Sequence, residues 1–261
     1  MEHAAAVGAV RRHLDRLGDR DRTWSEADPT GRVSLEVHRR FLRRSVPRGA
    51  QVLELGAGPG RFTTELAARG CRVVATDPSP AQLAAHERRL RRTPAERGVL
   101  RRELLDVTGT GRYADGEFDA VLAYGGLLPA AADHAADALR GLLRLVRPDG
   151  VVVASVRSLL GTWRHDLPAS GDPRRLGIDG HPVRMFRWHD VVALVDDAGG
   201  VLVDGSASNW ASLGDRDTLA RLEADRERWR RFLEHEVAAC AEPGVRDGGT
   251  HILFACRPRD R

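Results

Sequence analysis

The chain contains no lysine: all 41 basic residues in its 261 positions are arginine. A phosphate-binding P-loop, which needs Gly-Lys-Ser/Thr, is therefore excluded. Cysteine is scarce, with Cys71, Cys240 and Cys256 the only three. They are odd in number and far apart, so they form neither a disulfide framework nor a zinc spacing, and a reducing, cytoplasmic setting is expected. No apolar run approaches the ~18 residues of a membrane span. No apolar segment follows Arg11 and Arg12, so neither a signal peptide nor membrane association is expected. Aromatics make up only 5% of the chain, yet hydrophobic residues reach 42%, enough for a packed core.

The charge balance is nearly even, at +4. Arginine replaces lysine in a text rich in Ala, Gly and Val, the composition of GC-rich coding, and acidic residues are interleaved almost everywhere. The segment Glu87–Arg102, with seven arginines and two glutamates, holds more net charge than the whole chain. It maps to the expected helix before the third strand and to the start of that strand. The basic excess thus gives little support to a nucleic-acid partner.

The length suits one large domain or a domain with a cap. Residues 4–18 carry Val7, Val10, Leu14 and Leu17 at helical spacing, and a second short helix is expected at Leu35–Arg44. From there short apolar strands alternate with helices: strands at Gln51–Leu55, Cys71–Thr76, Val99–Leu105, Phe118–Ala123 and Val151–Val156, and helices at Arg61–Arg69, Pro80–Arg92 and Asp133–Val146. This rhythm predicts parallel βαβ units. Residues 157–188 show no clear period. A helix at His189–Ala198, a strand at Val201–Ser206, one long helix over 215–240 and a final strand at Thr250–Cys256 complete the chain. The expected division is an N-terminal helical lid at 1–48 and a domain at 49–261, whose insertions at 157–188 and 207–249 form the acceptor side.

The most informative stretch is Glu54-Leu55-Gly56-Ala57-Gly58-Pro59-Gly60-Arg61. A strand enters a glycine turn that opens a helix. Glycine permits positive φ and close approach of a ligand to the backbone, and a helix start offers free N–H groups. Arg61 occupies the place of the third glycine in the dinucleotide fingerprint, so the spacing here is G-x-G-x-G instead. Asp77, followed by Pro78, ends the next strand at the distance where an acid can accept from ribose hydroxyls. Asp106, after the third strand, can accept from an exocyclic amine, and the N–H of Val107 can meet a ring nitrogen.

Glu54 to Gly60, Asp77, Asp106, Phe118-Asp119-Ala120-Val121 and Leu145-Val146-Arg147-Pro148-Asp149-Gly150 together resemble the successive motifs of class I S-adenosylmethionine-dependent methyltransferases. The resemblance covers about residues 50–157 and the final strand. It implies a Rossmann-like α/β fold, doubly wound, with a seven-stranded sheet whose last strand is antiparallel. It implies S-adenosyl-L-methionine as cofactor, with S-adenosyl-L-homocysteine as product. Gly56, Ala57, Gly58 and Gly60, with Glu54 before them, would hold the methionine portion. Asp77 and Pro78 would sit at the ribose, Asp106 and Val107 at adenine, and Ala123 and Tyr124 at the methionine amino group.

Methyl transfer is an in-line displacement at a sulfonium, so positioning and desolvation supply much of the rate. A base is needed only for a poor nucleophile, and His165, His181 and His189 are the candidates. Trp24, Trp163 and Trp188 are candidate walls of an acceptor pocket. No metal triad is visible, and no metal is expected. The stretch Ala123-Tyr124-Gly125-Gly126-Leu127 lacks the Asn/Asp-Pro-Pro-Tyr/Phe tetrapeptide that resembling enzymes use on base or amide nitrogens. The first expectation is therefore O- or N-methylation of a small-molecule acceptor in specialised metabolism, by a monomer or homodimer. The insertion at 157–188 and Cys240-Ala241-Glu242-Pro243 with Gly249-Thr250-His251-Ile252 are also similar to wobble-uridine carboxyl methyltransferases of tRNA, which makes tRNA the alternative partner. A non-catalytic S-adenosylmethionine-binding protein is the third reading.

Overall fold

The computed structural model describes residues 28–105, 107, 109–125, 128, 134–170, 177–178, 181–182, 184–214 and 216–259. Residues 1–27, including Trp24, Arg11 and Arg12, lie outside them, as do Asp106, Gly126 and Leu127.

The first described helix, α1 (Pro29–Ser45), starts where Asp28 caps the N–H of Thr30 and Pro29 supplies a fixed φ. Val33, Val37 and Phe41 repeat at four-residue spacing and are buried, with Leu42 beside them. The helix begins six residues before the expected Leu35, because Asp28-Pro29 is itself a start signal. It forms a buried layer against the sheet, so the described part of the expected 1–48 lid is integral to the core.

Strand β1 (Gln51–Leu55) then leads to α2 (Arg61–Ala68), β2 (Arg72–Asp77), α3 (Pro80–Leu90), β3 (Val99–Leu104), β4 (Phe118–Ala123), α4 (Ala135–Leu145) and β5 (Val146–Arg157). After β5 come α5 (Leu159–Ser170), a two-stranded ribbon of β6 (Gly177–Ile178) and β7 (His181–Pro182), α6 (Trp188–Asp197) and β8 (Gly200–Ala207). Helices α7 (Arg216–Glu223) and α8 (Arg226–Ala241) and strand β9 (His251–Pro258) follow. The seven-stranded sheet has the order β3-β2-β1-β4-β5-β9-β8. Strands β1 to β5 run parallel, and β9 pairs antiparallel with both β5 and β8.

Two expectations need correction. The expected single helix over 215–240 is two helices, because Asp225 accepts hydrogen bonds from the N–H groups of Glu227 and Arg228 and restarts the chain as an N-cap. The aperiodic 157–188 segment contains α5 and the ribbon. Its apolar residues Leu159, Leu160 and Trp163 are too few to mark a face. The basic segment Glu87–Arg102 does fall on α3 and the edge strand β3.

The core is split by the sheet. On one face Leu53, Val121, Val152 and Phe254 pack with Leu139 and Leu142 of α4 and Val191 of α6. On the other, Val52, Leu122, Val153 and Leu253 pack with Phe41 and Leu42 of α1, Leu66 of α2 and Cys240 of α8. All three cysteines are buried free thiols. No helix among the described residues is long and apolar enough to cross a membrane.

Candidate active site

The loop after β1 requires its glycines. Gly56, Gly58 and Gly60 have φ of 64°, 51° and 87°, the left-handed region that costs an L-residue roughly 1–2 kcal/mol. Gly60 is also the left-handed N-cap of α2. A Cβ on Gly60 would lie 2.5 Å from Leu90 Cδ1 and 3.1 Å from His86 Cδ2, so the loop is pressed against α3.

Asp77 ends β2 directly opposite this loop and is 2% exposed. Its Oδ2 accepts from the Gly58 N–H at 3.0 Å and its Oδ1 from the Ser79 N–H at 2.9 Å. A carboxylate oxygen can accept more than one hydrogen bond, the chemistry that ribose hydroxyls require. Pro78 lies between Asp77 and Ser79, and Ser79 caps α3 by accepting from the Gln82 N–H. Ala57 is tied to the same strand by its N–H, which donates to the Thr76 carbonyl at 2.9 Å. Leu105 and Val107, on either side of the expected adenine-binding Asp106, are buried just after β3. The glycine cradle, the Asp77 carboxyl and these apolar side chains fit the methionine, ribose and base of S-adenosylmethionine.

Glu54 lies beneath the loop and is 2% exposed. Thr63 Oγ1 donates to its Oε2 at 2.5 Å, and Thr63 Oγ1 also meets His86 Nε2 at 2.9 Å. Arg102 Nε donates to His86 Nδ1 at 2.9 Å. One protonation pattern satisfies every group: Arg102 to His86 Nδ1, His86 Nε2–H to Thr63, and Thr63 O–H to Glu54. His86 is then neutral, and burial with the Arg102 charge holds its pKa down at about 4. Burial pushes the Glu54 carboxyl up to about 8, against the lowering effect of the Thr63 bond.

A second polar group closes the same end of the sheet. Along the α1 face, alternation places Val52 then Glu54, Leu122 then Tyr124, Val153 then Ser155 and Arg157, and Leu253 then His251. Each apolar column thus ends in a polar residue at the strand ends that carry the glycine loop. From α1, His38 packs edge-on to Tyr124 with ring centroids 5.0 Å apart, and lies 6.2 Å from His251 and 6.0 Å from Phe62 of the first turn of α2. His38 Nδ1 lies 2.7 Å from the Ser34 carbonyl, which can only accept, so the proton is on Nδ1 and Nε2 presents a lone pair. Burial, with the Arg61 charge, lowers His38 to about 4. Burial, then His38 and the Arg157 charge, lowers His251 to about 3. Both imidazoles are neutral at physiological pH.

These two histidines were not among the expected candidates. The available signals were an imidazole on the apolar face of α1, beside Val37 and Phe41, and one opening the last strand. Of the expected histidines, His189 is on the surface: its side chain is 67% exposed and sits 3.4 Å from Asp190 at the start of α6. The side chains of His165, on α5, and His181, on β7, lie outside the described residues. Ala123 is fully buried, and the Tyr124 side chain turns under α1, where its hydroxyl donates to the His38 carbonyl at 3.4 Å. Tyr124 can therefore border a methionine amino group only through its backbone. Trp188 packs under the Arg246 guanidinium, 4.3 Å from the ring centroid. Trp163 is half-buried, and its Nε1 has no hydrogen-bond partner. No cluster of metal-ligating side chains occurs among the described residues.

Comparison with known proteins gives a consistent result. Residues 52–150 match the model of a methyltransferase domain family. An uncharacterized methyltransferase of Mycobacterium tuberculosis is 35% identical over 139 residues, covering 51% of this chain and 49% of the relative. The chain thus spans about half the length of the curated relatives it matches. Among solved structures, the methyltransferase in complex with the Haloferax volcanii Trm112 methyltransferase activator superposes with a TM-score of 0.66 at 18% identity, over 97% of this chain and 99% of that one. The 1,6-didemethyltoxoflavin-N1-methyltransferase of Burkholderia thailandensis, solved with its substrate and S-adenosylhomocysteine, gives 0.58 at 20% identity, over 97% and 89%. At these identities the two likenesses concern the fold. Residues 52–150, which carry the glycine loop and Asp77, are thus similar to a methyltransferase domain, and with the sheet order and the antiparallel last strand they support a class I S-adenosylmethionine-dependent methyltransferase.

Proposed function

We propose that the chain transfers the methyl group of S-adenosylmethionine to an oxygen or nitrogen of a small-molecule acceptor. One observation carries the cofactor half: the Asp77 carboxylate receives the Gly58 N–H of a loop with three left-handed glycines, at the joined ends of β1 and β2. The acceptor would enter over β4 and β5, where His38, Phe62 and His251 crowd the strand ends. The nucleophile displaces the sulfonium in line: its lone pair forms the bond to the methyl carbon, and the C–S pair returns to sulfur. The protein's contribution is alignment and exclusion of water.

Three features support a small acceptor over tRNA. The acceptor end is crowded by aromatic rings. Four of the five described arginines of α1 are paired, Arg32 with Glu223, Arg40 with Glu36, Arg43 with Glu65 and Arg44 with Asp204, while the Arg39 Nε is buried without a hydrogen-bond partner. No continuous basic rim is left on that helix to follow a phosphate backbone. The Burkholderia neighbour acts on a small heterocycle, which makes the same fold with this kind of acceptor a consistent reading.

A radiolabelled methyl-transfer screen over small-molecule extracts and bulk tRNA tests the proposal. Label in a small molecule, with a rate little changed by salt, is the expected result. Label in tRNA with steep salt dependence would replace it with an RNA substrate, and no transfer to either pool would favour a cofactor-binding protein without catalysis.

A further inference from the structure

We infer that Arg157 is the specificity-determining residue of the acceptor site, and that the acceptor is an acidic small molecule held through a carboxylate or phenolate oxygen. This rests on the methyltransferase reading and sharpens its substrate class.

Three observations lead to it. The first is position. Arg157 is the last residue of β5 and pairs in register with His251 across the antiparallel β9. Cross-strand partners share a face, so both point to the α1 side, with Tyr124, Ser155 and His38. The second is lack of a partner. Many described arginines bind carboxylates, as Arg32 does with Glu223 and Arg102 with Glu96, and others lie over aromatic rings, as Arg164 and Arg246 do. Arg157 is half-buried, its Nε is buried without a hydrogen-bond partner, and among the described residues no carboxylate pairs with it. A buried guanidinium donor left unpaired costs free energy that a ligand oxyanion would recover.

The third is the sign of the surroundings. Across β9 Arg157 faces the His251 imidazole, which burial holds neutral, and Arg61 acts on the neighbouring His38 as a second positive charge. No negative group of the described site balances Arg157, so the missing charge is assigned to the acceptor. An acceptor already ionised also needs no base, which agrees with imidazoles too weakly basic to take a proton from a hydroxyl at neutral pH.

The test is calorimetry on the full chain. S-adenosylhomocysteine is titrated first, then benzoate or benzamide is titrated into the saturated complex. The proteins are the wild type, Arg157→Gln, Arg157→Lys and, as a charge control, Arg147→Gln at the far end of β5. We expect benzoate to bind the wild type and Arg147→Gln alike, to weaken about tenfold or more in Arg157→Gln and to be partly retained by Arg157→Lys. Benzamide should bind poorly and ignore the substitution. In the wild type, benzoate should also shift the ring resonances of His251, a readout independent of how the variants fold. Equal binding of benzoate to Arg157→Gln, equal binding of benzamide, or no benzoate binding in a protein that does bind S-adenosylhomocysteine would overturn the inference alone. Failure to bind S-adenosylhomocysteine would overturn the methyltransferase reading and this inference with it.

Discussion

Replacing Glu54 with glutamine should make the protein more stable at alkaline pH and leave it almost unchanged at mildly acidic pH. The Glu54 carboxyl is 2% exposed and accepts from the hydroxyl and the backbone N–H of Thr63. Its pKa rises from 4.5 to about 8 on folding, because burial disfavours the charged form. Between these two values the native state holds a proton that the unfolded chain has released, so wild-type stability falls as pH rises and the loss is complete above the folded pKa. At 1.36 kcal/mol for each unit, the wild type should lose on the order of 4 kcal/mol relative to Glu54→Gln between about pH 5 and about pH 9. Glutamine keeps one acceptor and one donor, as the protonated acid does, so the Thr63 bond persists. Urea denaturation of both proteins at the two pH values measures this. Because His38, His86 and His251 titrate identically in both, their contributions cancel in the difference. A Glu54→Gln protein destabilised by the same amount at both values would mean that Glu54 is ionised in the fold, and would refute the argument.

Other consequences are checked separately. A cofactor carrying a sulfonium and an ammonium beside Glu54 should favour its charged form. Binding of S-adenosylmethionine near neutral pH should therefore release up to one proton, seen as a difference in calorimetric heat between buffers of unlike ionisation enthalpy. Gly60→Ala combines a left-handed φ of 87° with a Cβ 2.5 Å from Leu90 Cδ1. It should cost about 2–4 kcal/mol in chemical denaturation, from backbone strain and overpacking together. His189→Ala, at an exposed position, should change kcat and KM by less than about twofold, since surface substitutions away from a site are nearly neutral.

The alternating core was readable because its strands are short apolar runs and its helices carry clear start and stop residues. Val52, Leu53 and Leu55 with the glycines after them located β1 and the loop, and the acid at position 77 followed from the length of a βαβ unit. The break at Asp225 was legible in principle, since aspartate is a good N-cap, but the apolar residues on either side continued one face and concealed it. Residues 146–150 read as a helix stop through Pro148-Asp149-Gly150, whereas pairing of Phe118 with Val146 draws them into β5. The polar strand ends were the least legible part. His38, Arg157 and His251 are separated by more than a hundred residues of sequence at the first step and nearly as many at the second. Only the sheet order, which inserts β9 beside β5, and the packing of α1 across both bring them together.

The account stands on S-adenosylmethionine binding at the glycine loop and Asp77. Titration of S-adenosylhomocysteine into the wild type and Asp77→Asn tests this most directly. We predict a one-to-one isotherm for the wild type and a loss of about a hundredfold in affinity for Asp77→Asn, the equivalent of two weakened charge-assisted hydrogen bonds. No heat with the wild type, or equal affinity in Asp77→Asn, would contradict it.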